Sequence, residues 1–278
     1  MSEANLFSEF PEISAKAWKQ HIQYNLNGED YNTKMIWESL EGIKVKPFYT
    51  SSDLKGKPAD QIPKNKEWKI GQTIYAGNAI LANEKALHIL ERGAESLVFI
   101  VPSTEIKIEH LLKDIYLKQV TIYFELQFLS LEYVHKILDF IVNNKAKIYL
   151  NTDIIGNLAK TGNWFFNLKE DHRILHKILQ LHSYTICIDA SLYQNAGANI
   201  TQQLGYALAQ ANEYLNILNN QKEITKENQH FTFKVAVGSN YFFEIAKIKA
   251  LRILWSLIAA EYNIKTDCTI ITIPTKRN

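Results

Sequence analysis

The sequence predicts an α/β fold of the TIM (β/α)8 type, read as seven strands with the eighth missing at the carboxyl end and a helical extension at the amino end. Three observations predict it. From Thr73 onward short apolar runs alternate with longer helical patterns, the mark of parallel strands joined by crossover helices. Those helical stretches repeat their apolar residues at a spacing of about 3.6. The chain has 278 residues, enough for a barrel that takes roughly 250.

Residues 1–70 read as an extension with a helix and a partner-contacting loop. Trp18, Ile22 and Leu26 share a helical face that Gly28 ends. The stretch from Ser51 to Trp68 mixes two prolines, a glycine and several charges and reads as a surface connection. Residues 71–278 read as the truncated barrel domain. Its strands are TIYA from Thr73, SLVFIV from Ser96, VTIYFELQ from Val120, KIYLN from Lys147, YTICIDA from Tyr184, FTFKVAV from Phe231 and DCTIITI from Asp267. Ile200, Leu204, Ala207, Ala211, Leu215 and Leu218 form one inward helical stripe. Ile245, Ile248, Leu251, Trp255 and Ile258 form another, with Glu244, Lys247 and Arg252 on its polar face. The sequence runs out at IPTKRN after the seventh strand, so the first and seventh strands are expected to carry unpaired edges, through truncation or a gap that another segment fills. An open doubly wound sheet is the alternative, but Ala76, Gly77 and Asn78 are too short a match to its glycine-rich phosphate turn.

Composition excludes several classes of function. Lys and Arg number 31 against 29 Asp and Glu, a net charge of +2, which gives no electrostatic case for nucleic acid or an anionic membrane. Cys187 and Cys268 lie in apolar runs without metal or redox spacing and read as core thiols. His172, His176 and His182 lack the intervening glutamate of a zinc helix, so no metal is expected. With no secretion signal and no apolar run long enough to span a bilayer, the expected location is the cytoplasm.

Several motifs, in order, carry a resemblance. Phe10, Pro11 and Trp18, then Leu40 to Ile43, Pro47 and Tyr49, form an entry segment. IYAGNA spans Ile74 to Ala79, QNAGA spans Gln194 to Ala198, and VGSNYFFEIAKIKALRILW spans Val237 to Trp255. Together they resemble the methylmalonyl-CoA mutase family over nearly the whole chain. The resemblance implies a barrel whose axis admits the pantetheine arm of coenzyme A, with adenosylcobalamin held by a separate flavodoxin-like domain. The cobalt-binding Asp-x-His-x-x-Gly motif of that domain does not occur in these 278 residues.

The departures from the family pattern are as informative. Where catalytic members carry a Tyr-His pair, this sequence has Ser191 and Leu192, and leucine donates no proton. Tyr193, Gln194, Asn195 and Gly197 then read as a vestigial substrate-site loop, with Tyr193 as a plug. The third strand would aim Thr121, Tyr123, Glu125 and Gln127 inward, where catalytic members keep small hydroxylated residues; Asp189 and Lys234 are further lumen candidates. The resemblance therefore implies the non-catalytic small subunit of a heterodimeric mutase of propionate metabolism. No cofactor is expected in this chain, adenosylcobalamin is expected in a larger catalytic subunit, and coenzyme A esters are not expected to bind. Two alternatives stand beside this: an independent barrel lyase or isomerase using Glu125, Asp189 and Lys234, with Asp153 as a further acid, and a barrel that binds acyl-CoA without catalysis.

Overall fold

A computed structural model of the chain describes residues 10–11, 13–54, 67–182, 185–221, 223–224, 229–264 and 267–277. Residues 55–66 of the expected surface connection, and Tyr184 of the expected fifth strand, lie outside the described residues. The chain divides into two compact units, Met1–Gln61 and Ile62–Asn278. Residues just before the first strand of the second unit belong with it, because the Ile70 carbonyl accepts from the Glu95 and Ser96 amides at 2.8 and 3.1 Å.

In the first unit, α1 (Ala15–Asn25) begins where the Ser14 side chain accepts from the Ala17 amide. It gives way to Gly28 at φ +95°, a conformation that glycine adopts without strain. Asp30 caps α2 (Tyr31–Met35) in the same manner as Ser14 caps α1. A two-residue antiparallel pair follows, β1 (Trp37–Glu38) with β2 (Lys44–Val45).

The second unit alternates strand and helix. Its elements are β3 (Gly71–Tyr75), α3 (Ala79–Glu91), β4 (Ser96–Val101), α4 (Ile108–Leu111), β5 (Thr121–Leu126), α5 (Leu131–Asn144) and β6 (Ile148–Asn151). They continue with α6 (Ile154–Thr161), α7 (Leu168–Leu181), β7 (Ile186–Asp189), α8 (Ser191–Asn195), α9 (Ile200–Asn219), β8 (Phe231–Val237), α10 (Tyr241–Glu261) and β9 (Thr269–Pro274). All strand pairs in this unit are parallel, in a four-stranded sheet β3-β4-β5-β6 and a three-stranded sheet β7-β8-β9. A parallel bridge between Thr152 and Ile186 joins the two sheets. Among the described residues β3 and β9 each pair along one edge only.

Alternation along the strands sorts the side chains into two environments. On β5, Ile122 and Phe124 are fully buried in the large core beneath the helices, with Phe99, Ile137, Leu175 and Trp255. Tyr123 turns the other way and packs with Val98 and Tyr149 in a separate cluster, against which Ile271 of β9 also lies. Residues of the first sheet thus meet a residue of the last strand across a shared interior.

Helix α9 buries Ala207, Ala211, Leu215 and Leu218 as its spacing predicts. Helix α10 departs from expectation: the buried stripe is Lys247, Leu251, Trp255 and Ala259, while Ile245 is 37 % exposed. Lys247 belongs to the core face because its ammonium reaches the Ala236 carbonyl at 2.6 Å, Gln203 Oε1 at 3.2 Å and the Glu244 carboxylate. Those partners offset the cost of burying the charge. Among the described residues no helix is long and apolar enough to cross a membrane.

Candidate functional site

The parallel register places polar side chains together at the carboxyl ends of the strands. Glu125 pairs in register with Asn151, and Asp189 with Lys234. In-register neighbours point to the same side of a sheet, so these four side chains share the interior face. The Lys234 ammonium lies 2.8 Å from Glu125 Oε2 and 3.3 Å from Asp189 Oδ2. Burial acts to lower the Lys234 pKa, but the charges of Asp189 and Glu125 more than reverse this and hold it above the usual lysine value. A lysine held protonated is disarmed as a nucleophile or base, which weighs against the independent lyase alternative. Among the described residues no three His, Cys, Asp or Glu groups converge as metal ligands.

Asp153 forms the second part of the site. At the start of α6 its Oδ1 accepts from the Gly156 amide (2.7 Å), the Gln210 side-chain amide (2.6 Å) and the Tyr214 hydroxyl (2.8 Å), while Oδ2 accepts from the Asp189 amide (3.1 Å). Burial pushes the Asp153 carboxyl up, the hydrogen bonds partly oppose this, and the nearby Asp189 charge adds to it; the pKa reaches about 6. The carboxyl therefore keeps its proton to about pH 6 in the fold and only to about pH 4 in the unfolded chain. That preference favours the fold below pH 4 and is lost as the pH rises through 6, a change of about 3 kcal/mol. Asp153→Asn, which cannot ionise, is expected to lack this loss. Urea midpoints of both proteins between about pH 4 and 7 test it, the variant gaining on the native chain as the pH rises.

The segment expected as a loop opening the long helix is instead a separate short helix. Ser191–Asn195 forms α8, Gly197 breaks the chain at φ +113°, and α9 starts afresh with Asn199 and Gln202 in a capping box. Ser191 is buried and donates through its hydroxyl to Asp189 Oδ1, while Leu192 lines a cavity of about 240 Å³ together with Gln127, Glu125 and Cys187. Burial and then the charges of Asp153 and Asp189 raise the Cys187 pKa well above the usual thiol value. Tyr193 donates to Gln210 Oε1 at 2.7 Å, and burial followed by the same two carboxylates raises its pKa to about 12. Gln194 and Asn195 anchor the chain that leaves β9. Gln194 Oε1 accepts from the Thr275 hydroxyl (2.8 Å), its carbonyl accepts from Arg277 (3.0 Å), and Asn195 Oδ1 accepts from the Lys276 amide (3.0 Å).

One layer down, Tyr123 and Tyr149 stack with ring centroids 4.8 Å apart. Below them a cavity of about 440 Å³ opens between β3 and β9, lined by Thr73, Val98, Tyr123 and Ile271. Sequence reasoning does not single out Asn151, Gln210, Tyr214 or Tyr149. Gln210 and Tyr214 lie four apart on the buried side of α9, so polar groups within an apolar stripe are the available signal. Asn151 becomes readable as the partner of Glu125 once the strands are aligned.

A family model described as methylmalonyl-CoA mutase matches residues 101–276. The chain is 33 % identical to the methylmalonyl-CoA mutase small subunit of Porphyromonas gingivalis over 92 % of this chain and 46 % of that protein. It is 25 % identical to the small subunit from Streptomyces virginiae, over 92 % of this chain and 46 % of that one. The large subunit from Streptomyces virginiae is 24 % identical, over 92 % of this chain and 42 % of its own. The chain thus spans about half the length of the curated relatives it matches.

Proposed function

The chain belongs to the methylmalonyl-CoA mutase family, and we propose that it is the barrel region of a small, non-catalytic subunit that supports a larger homologous catalytic subunit. The whole enzyme would interconvert methylmalonyl-CoA and succinyl-CoA with adenosylcobalamin. In this reading the parallel strands, ordered as in the chain and sharing one interior, form seven strands of a (β/α)8-type barrel.

The observation that carries the proposal is the pair Ser191 and Leu192. One hydroxyl is committed to Asp189 and the other side chain is an alkyl group on the cavity wall. Neither can act as the acid that the Tyr-His pair provides in catalytic members. Adenosylcobalamin is assigned to the larger catalytic subunit, as the resemblance implies. The Tyr123–Tyr149 stack, with Val98 and Ile271 beside it, occupies the path that a pantetheine arm would need along the interior, so coenzyme A and succinyl-CoA are expected to give no saturable heat on titration. Micromolar binding would favour an acyl-CoA-binding barrel instead.

Support for a partner comes from the apolar surface of α10, where Tyr241 and Phe242 are 70 and 79 % exposed. The segment around Trp18 is the other candidate contact. An obligate complex of this kind buries about 2,000 Å² or more. Sedimentation of this chain alone and with a homologous large subunit tests the proposal. A stable one-to-one complex is expected, whereas a well-behaved monomer that ignores the large chain would overturn it.

A further inference from the structure

We propose that the cavity at the carboxyl ends of β5 to β8 is a binding site for a small zwitterion, a free α-amino acid with an apolar side chain. Three observations carry this. The first is an orphaned donor: Asn151 is 6 % exposed and lines the cavity, and its side-chain Nδ2 has no hydrogen-bond partner among the described residues. A buried amide donor left unmatched is costly, and an acceptor on a bound molecule relieves it. The second is charge. Glu125, Asp189 and Asp153 line the cavity against the ammonium groups of Lys234 and Lys160, so one negative charge is in excess once Asp153 ionises. An ammonium group on the ligand balances that excess. Lys160 lines the same cavity and offers a cation to a carboxylate whose oxygen also accepts from Asn151.

The third observation is the rest of the lining. Leu129, Phe165 and Leu192 give the cavity an apolar side, and about 240 Å³ suits a compact molecule rather than a nucleotide-bearing thioester. A simple dicarboxylate would set its charges against Glu125 and Asp189, and a simple amine would leave Asn151 unmatched. A molecule carrying both groups next to an apolar side chain answers all three features. The site does not depend on the subunit reading, because every residue that forms it belongs to this chain.

Calorimetric titration of the full chain with L-valine and L-leucine is the test, with succinate, isobutylamine and glycerol as probes that each lack part of the chemistry. A saturable heat is expected for an amino acid, with each of the three other probes at least about tenfold weaker. Asn151→Leu removes the donor while keeping the branching of the side chain's heavy atoms, and is expected to abolish the heat while keeping or raising the melting temperature, since it deletes an unmatched polar group. A role confined to holding the fold together would instead lower that temperature. Absence of saturable heat with both amino acids, equal binding of any single-function probe, or unchanged affinity in Asn151→Leu would each overturn the proposal. The titrations on the unmodified chain decide by themselves if the variant does not fold.

Discussion

Lys234→Met is expected to lower stability by about 3–5 kcal/mol, because it strands two carboxylates that now share its ammonium. The side chains of Lys234, Glu125 and Asp189 are 12, 24 and 26 % exposed, so solvent screens their interaction only in part. Glu125 would lose its 2.8 Å partner and face Asp189 without an intervening cation. Removing all three charges together, by Lys234→Met with Glu125→Gln and Asp189→Asn, should recover most of the loss. No uncompensated charge then remains, and the amide oxygen introduced by Asp189→Asn still accepts from Ser191. Urea unfolding of the native chain, the single variant and the triple variant measures this directly. If Lys234→Met left the midpoint where it was, water rather than carboxylate would be the true partner of the ammonium.

The purified chain is expected to show no turnover of methylmalonyl-CoA with added adenosylcobalamin. A positioned acid typically contributes about 10² to 10⁴-fold in rate, and Ser191 and Leu192 supply none. Reinstating the pair as Ser191→Tyr with Leu192→His should not rescue activity. Ser191 is 5 % exposed and bonded to Asp189, so a tyrosine there overfills the site at a cost of about 1–3 kcal/mol. Measurable mutase activity in either protein, after removal of any copurifying large subunit, would end the non-catalytic reading.

Much of the fold is legible in the sequence because inner strands such as β4 and β8 are buried on both faces and appear as largely apolar runs. SLVFIV and FTFKVAV give β4 and β8 almost to the residue. The facing of Glu125 and Lys234 is also legible, because period-two alternation places each on the interior side and opposite charges there favour each other. Lys247 is not. Its charge suggests solvent, whereas its spacing with Leu251 and Trp255, four and eight residues on, places it in the core, and packing prevails over polarity because the Ala236 carbonyl and Glu244 are in reach. The division between α8 and α9 is hidden because Gly197 sits inside a recognisable motif, which masks its second role as a break in the backbone. The web around Asp153 draws on α6, β7 and α9, segments up to 61 residues apart, and no local pattern announces such a meeting.

The tyrosine stack also bears on how protons and water travel through the protein. Tyr123 is 9 % exposed and Tyr149 likewise, and burial, then the neighbouring Tyr149 and Cys187, holds the Tyr123 hydroxyl well above the ordinary phenol value. The two rings are uncharged at physiological pH and lie between the polar lining of the cavity at the strand ends and the cavity beside β3 and β9, two linings that share no residue. Solvent in one cavity therefore meets a different set of titratable groups from solvent in the other: Asp153, Asp189 and Lys234 above, His230 and Arg252 below.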